Sequence, residues 1–335
     1  MNKINALFKI ILLNVAVLAS SALAAMNFDQ SNLVGLRYGP NFSWGGMANV
    51  PIVWGQWVPQ ATMGARYTWL EPLNQVEYGS PLGMASSYLK MDASLEVSPF
   101  YGGFRAGLGL RPFKINPQVE LNFVYESYFY FKSNIEMVNA DVTGGGRIAE
   151  TWNSDYILDN IWRSDNAEFD YVQLFDMSID ISYNLPHGSV IGVGAHYVLS
   201  DISTDFDGKS YDYERNIPVF SRDYIVELQS YGRFPVSKLV SIVYDGLYMK
   251  TGLLRSGRSV KKESLSYRMA LLGTHFSWNE GLRNFIIKVG KWGRDKKRFY
   301  NGSFAQQLLV QLEYKGYFSF PFHSNFSKNL GSGQE

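Results

Sequence analysis

Residues 169–183 read FDYVQLFDMSIDISY. Phe169, Tyr171, Phe175, Met177, Ile179, Ile181 and Tyr183 hold odd positions, while Asp170, Asp176, Ser178, Asp180 and Ser182 hold even ones. Successive side chains of an extended strand point to opposite faces, so this stretch presents one apolar face and one polar face. Ordinary globular strands run to about 5 or 6 residues. A strand that crosses a bilayer at a tilt needs roughly 9 to 11, and this stretch is long enough for that.

The same alternation recurs in both directions along the chain. Leu89, Met91, Ala93, Leu95 and Val97 enclose Lys90, Asp92, Ser94 and Glu96; Phe104, Ala106, Leu108 and Leu110 enclose Arg105, Gly107 and Gly109. Val119, Leu121, Phe123 and Tyr125 enclose Glu120 and Asn122, with Glu126 following, and Leu308, Val310, Leu312 and Tyr314 enclose Gln311 and Glu313. In each segment the charges keep to one face. The expected strands are 33–44, 61–70, 86–98, 101–112, 118–132, 168–183, 189–202, 221–233, 239–252, 263–278, 284–294 and 304–320. This gives an all-β fold, a closed antiparallel transmembrane β-barrel of about 12 strands with a range of 10 to 14, since bacterial barrels close on an even number.

The links support closure. Short links with turn chemistry, at 114–117, 184–188, 234–237 and 279–281, alternate with longer polar ones, as periplasmic turns alternate with outer loops. Two links run against that rule: 71–85 is long for a turn, and the one at Pro99 is short for an outer loop. Aromatic residues gather at strand ends, among them Trp44, Trp69, Phe129 and Tyr248, the level at which a ring meets both hydrocarbon and water. A soluble β-sandwich is the competing fold, but it calls for shorter strands with a turn every 8 to 12 residues.

The N-terminal residues address compartment. Lys3 and Lys9 precede an apolar run at 10–18, and Ala22-Leu23-Ala24 then supplies a small-x-small site. That is the pattern of a secretory signal peptide cut before Ala25, because the run is shorter than the roughly 20 residues of a membrane-spanning helix. The expected organisation is a signal peptide at 1–24, a barrel at 25–320 and a polar tail at 321–335. With no cysteine, neither a disulfide framework nor a thiolate site is available. A net charge of +1 gives no global attraction to nucleic acid.

Over nearly the whole mature length the chain resembles the bacterial outer-membrane β-barrel class. Tyr314, Gly316, Phe318 and Phe320 resemble the alternating aromatic signature by which such proteins are recognised for assembly. The polar residues after Phe320 depart from that pattern, since the signature normally closes the chain. The resemblance implies a Gram-negative outer membrane, surroundings of lipid and lipopolysaccharide, and insertion by the barrel assembly machinery.

Carried round the barrel, the alternation sends Arg37, Arg66, Lys90, Arg105, Arg111, Arg268, Lys288 and Lys315 inward. Asp92, Glu96, Glu120, Glu126, Asp170, Asp176, Asp180, Glu227, Asp245 and Glu313 go the same way. Either opposite charges on neighbouring strands pair and fill the interior, or a basic wall faces an acidic one across a water-filled lumen that selects small polar solutes. About eight strands are just filled by side chains and sixteen leave a channel, so twelve admits both. The first function expected is therefore a narrow pore; the second is a non-conducting structural or surface-interaction barrel.

Two outer loops are basic, one with Arg255, Arg258, Lys261 and Lys262, the other with Lys291, Arg294, Lys296, Lys297 and Arg298. Such charges suit the phosphates of lipopolysaccharide. The carboxylate-rich loop 133–167 fits a solvated loop better than a Ca²⁺ site, because its spacing matches no EF-hand. His187-Gly188-Ser189 is similar to the His-x-Ser spacing of outer-membrane phospholipases, which would make the chain a lipid-modifying enzyme. Its position in a short turn fits a hairpin better. No catalytic residue, metal or cofactor is expected.

Overall fold

The computed structural model describes residues 36–51, 60–82, 86–99, 101–131, 171–202, 209–212, 217–220, 222–251, 265–279, 281–294 and 306–318. The expected signal peptide, the 133–167 loop and the C-terminal tail lie outside the described residues.

Fourteen strands are described. They are β1 (Gly39–Pro51), β2 (Gln60–Pro72), β3 (Tyr88–Val97), β4 (Tyr101–Arg111), β5 (Gln118–Tyr130), β6 (Tyr171–Asn184) and β7 (Val190–Ile202). After these come β8 (Lys209–Asp212), β9 (Ile217–Phe220), β10 (Arg222–Pro235), β11 (Val240–Thr251), β12 (Leu265–Trp278), β13 (Arg283–Arg294) and β14 (Gln306–Phe318). Twelve of them close an antiparallel barrel in which chain neighbours pair throughout, β7 pairs with β10, and β14 returns to β1. The remaining two, β8 and β9, form a separate hairpin in the β7–β10 loop that the alternation did not indicate.

The closing seam runs from Phe42 opposite Phe318 to Pro51 opposite Leu309. Closure leaves no free strand edge along the ladders, so neighbouring strands satisfy one another's backbone donors and acceptors around the wall, as hydrocarbon requires. The outward face is apolar: Leu95, Leu108, Phe123, Phe175, Val193 and Leu272 are among its exposed side chains. Rings cluster at its two ends. Trp44 stacks obliquely on Tyr314 at 5.2 Å, with Arg283 over the Trp44 ring and donating to the Tyr314 hydroxyl at 3.1 Å. Toward the other end Tyr197 stacks on Tyr224 at 5.3 Å.

Eleven of the twelve barrel strands fall close to their expected spans; the first is displaced. It was expected at 33–44, but β1 covers Gly39–Pro51. Gly39, at φ 94°, turns the chain into the wall. Before it, Arg37 bridges Pro81 and Tyr38 exchanges backbone hydrogen bonds with Gly79 and Ser80. The residues read as the start of a strand therefore pair with the 73–87 link. That link, too long for a simple turn, is packed against the barrel end: Leu36, Val76 and Leu82 lie on the buried cluster of Tyr38, Leu70 and Tyr88. Glu71 accepts hydrogen bonds from Trp69 and Tyr78, and the bond to Glu71 raises the Tyr78 hydroxyl above its ordinary pKa.

The interior is layered. Between the strand middles and the short-turn end most inward side chains of β2 to β7 are charged or polar, while Val243, Leu271 and Ile286 bring apolar groups into β11 to β13. At the long-loop end of β6 to β13 they are mostly apolar and buried, including Leu174, Val198, Ile225, Met249, Tyr267 and Trp292, with Ser200, Asp223 and Thr251 among them.

Candidate functional site

The charged interior is the candidate site, and strand parity builds it. Even positions of β2, β3, β5, β6, β7 and β13 point inward, as do odd positions of β4, β10, β11, β12 and β14, shown by alternating burial along each strand. One cluster of charges spans β2 to β7. Arg66 donates to Asp92 at 2.8 Å and Arg105 meets Glu126 at 3.0 Å, each across neighbouring strands. Glu120 takes Lys90 at 2.5 Å, Arg111 at 2.8 Å and the Tyr88 hydroxyl at 2.8 Å. His196 Nδ1 lies 3.0 Å from Asp176, and its Nε2 is 3.8 Å from Asp180. A second cluster lies on β11 to β14, where Lys288 contacts Asp245 at 2.5 Å and Glu313 at 3.6 Å. Lys288 also donates to Gln311, which donates to Asn49 across the closing seam.

Inward glycines make these reaches possible. Lys90 stands opposite Gly109 and Lys288 opposite Gly273, so each lysine passes over the strand between it and a carboxylate two strands away. A Cβ on Gly109 would lie 2.6 Å from the Lys90 Cε, too close for both to stay. Tyr231 likewise lies over Gly192, the residue opposite it on β7.

In the first cluster the arginines and the lysine sit on β2 to β4 and, Asp92 and Glu96 apart, the carboxylates on β5 and β6, and the side chains pair across the strands. A cavity of about 60 Å³ remains inside the first cluster, lined by Arg66, Lys90, Asp92, Glu120, Asp176 and His196 together with their neighbours. It has room for a few waters.

Of the residues expected inward, Arg66, Lys90, Asp92, Glu96, Arg105, Glu120, Glu126, Asp176, Asp180, Glu227, Lys288, Glu313 and Lys315 lie on inward positions. Lys315 sits over the Tyr317 ring at 5.5 Å. Two depart. Arg268 is exposed on the outward face of β12, because the inward residues of that strand are the odd ones, Tyr267 to His275. Arg37 precedes β1 and donates to the Gly79 carbonyl at 3.0 Å, tying down the 73–87 link instead of lining the barrel. Asp170 lies outside the described residues.

Among the basic loop residues, Lys291 is exposed on the outward face of β13 and Arg294 ends that strand. Arg255, Arg258, Lys261, Lys262, Lys296, Lys297 and Arg298 lie outside the described residues. His187 stands exposed in the β6–β7 turn at φ 60°, followed by Gly188 at φ 76°, and the Ser189 N–H donates to the Pro186 carbonyl. His196, Tyr231 and Gln311 were not singled out from the sequence. For His196 and Tyr231 the signal was parity, each sharing its strand's inward face; Gln311 sat among the enclosed polar residues of the last strand.

No protein-family model and no curated protein matches the sequence. Solved structures similar in fold include the translocator domain of the autotransporter NalP from Neisseria meningitidis, at 12% identity and TM-score 0.39, covering 89% of this chain and 96% of that one. The NanC porin is similar at 8% identity and TM-score 0.41, over 83% of this chain and 100% of the porin. The β-domain of the Bordetella autotransporter BrkA is similar at 11% identity and TM-score 0.41, over 85% and 100%. What the chain shares with these bacterial outer-membrane proteins is the closed barrel.

Proposed function

We propose that this chain is an outer-membrane barrel of a Gram-negative bacterium that works as a narrow channel for small polar solutes, with the path running along the charged wall of β2 to β7. The density of interior charge carries the reading. A buried ion pair contributes no more to stability than well-packed apolar residues of the same volume, and often less. Stability alone therefore gives no reason for Arg66, Lys90, Arg105 and Arg111 to share one wall with Asp92, Glu120, Glu126, Asp176 and Asp180. Contact with water and polar solutes gives one, and the cavity lies among these residues. With both signs side by side, the path suits solutes that carry a dipole or both charges.

The test is single-channel recording from refolded protein in planar bilayers. A small conductance is expected, with Asp176→Asn together with Asp180→Asn shifting its selectivity toward anions. Repeated insertion without conductance would overturn the channel. That outcome would favour a non-conducting scaffold, a reading supported by the short pairing distances and by the buried apolar layer at the long-loop end.

A further inference from the structure

Asp180 is a carboxylate of the first cluster that the pairing of Arg66, Lys90, Arg105 and Arg111 passes over. It stands on β6 opposite Glu120, which itself holds both Lys90 and Arg111. Among the described residues Asp180 forms no salt bridge with a lysine or an arginine. At 2% exposure, a carboxylate without such a partner is costly to bury. Its Oδ2 accepts a hydrogen bond from Asn122 at 3.2 Å, whereas Oδ1 accepts none from any described residue.

That oxygen faces His196 Nε2 across 3.8 Å, beyond hydrogen-bond reach, and Nε2 likewise has no hydrogen-bond partner among the described residues. The other ring nitrogen is committed. His196 Nδ1 lies 3.0 and 3.2 Å from the two oxygens of Asp176. A carboxylate can only accept, so Nδ1 carries the proton and the neutral ring presents Nε2 as an acceptor. Two buried acceptors therefore face each other. Gly194, opposite Asp180 on β7, keeps the space beside them open, since a Cβ there would come within 2.3 Å of Asp180 Oδ1 and 3.3 Å of His196 Nε2. Both side chains line the cavity of about 60 Å³, which has room for roughly four non-hydrogen atoms.

We propose that Asp180 and His196 form a binding site for a small primary ammonium group, carried by a simple alkylamine or by the amino end of a zwitterion. The count of donors selects the ligand. Two acceptors this close call for one atom with at least two hydrogens to give, and a primary ammonium has three donors. Its charge also supplies the cation that Asp180 lacks, through a charge-assisted hydrogen bond. A hydroxyl has a single proton to donate, and a water bridging the pair would leave the carboxylate uncompensated. Metal ions fit poorly, because among the described residues no three His, Asp or Glu side chains are placed to hold one. The inference rests on the channel reading for the route by which a solute reaches the pair, and it names the class of that solute.

The test is a titration of the refolded full-length barrel in detergent with isotope-labelled methylammonium, followed by its NMR line width. Potassium chloride is kept in excess, and the pH is mildly alkaline, where an imidazole is neutral and an alkylammonium still charged. Methylammonium is expected to bind, and tetramethylammonium, which has no N–H, is expected not to displace it. Displacement by ethylammonium alone would identify simple amines as the source, and displacement by glycine as well would identify zwitterions. Asp180→Asn keeps the shape and should weaken binding about tenfold, the loss of one charge-assisted hydrogen bond. Gly194→Ala should abolish binding by filling the space. Unchanged heat-modifiable gel mobility would show that each variant is folded; if neither is, methylammonium against tetramethylammonium on the wild type decides alone. Absence of binding, displacement by tetramethylammonium, or wild-type affinity in a folded variant would overturn the site. Bilayer recording keeps the two readings apart. Binding without conductance would remove the channel and leave the site, whereas conductance without binding would remove the site and leave the channel.

Discussion

Glu120 joins three groups at once, with Lys90 and Arg111 on its two oxygens and the Tyr88 hydroxyl beside Arg111. All of this happens at 2% exposure, where removing one partner leaves the others as uncompensated buried charge. Glu120→Gln keeps the volume and removes the charge, and is expected to destabilise the barrel by about 3 to 5 kcal/mol. A lower urea midpoint of the refolded protein would register this, whereas Lys238→Gln in the exposed β10–β11 turn should leave the midpoint unchanged. Parity alone had placed Glu120, Lys90 and Arg111 on the inward face. Their convergence was not legible, since it depends on Gly109 lying opposite Lys90, and a residue's partner across a ladder is set by register. Arg268 failed for a related reason. One residue of parity separates lumen from lipid, and the bulky residues on both faces of β12, Tyr267 and Met269 inward and Leu272 and Phe276 outward, leave the alternation ambiguous.

Single elements show where the alternation was strong. In β5 every inward position from Gln118 to Glu126 is polar except Val124, and outward ones include Leu121, Phe123 and Phe129, so its span was readable almost to the residue. Depth along such a strand should govern the cost of a lipid-facing charge. Phe123→Arg, near the middle of β5, is expected to cost about 2 to 4 kcal/mol, and Phe129→Arg, near its outer end, about 0 to 1. Comparing their unfolding midpoints in the same lipid checks this; equal costs would mean that β5 does not lie across the membrane. In β1, by contrast, the inward residues are Asn41, Ser43, Gly45, Met47 and Asn49, and Gly46 and Ala48 interrupt the outward face. So weak a contrast could not fix where β1 begins, and pairing with β2 and β14 did so instead.

For the molecule as a whole, closure is the decisive contact. β14 pairs with β13 along one side and with β1 along the other, so its loss opens two edges to hydrocarbon, each a row of unsatisfied backbone groups. A chain ending at residue 305 is expected to yield no heat-resistant folded band after refolding into detergent; a folded, inserted product would contradict closure through this strand. The sequence by itself determined the all-β class, a barrel of about twelve strands and which face of most strands meets lipid, because those depend on a period of two that each strand carries within itself. Only the tertiary structure decided which charges meet, how the 73–87 link packs against the barrel end and that Arg268 faces outward. Those outcomes depend on register between strands, which neighbouring strands impose on one another and no single strand encodes.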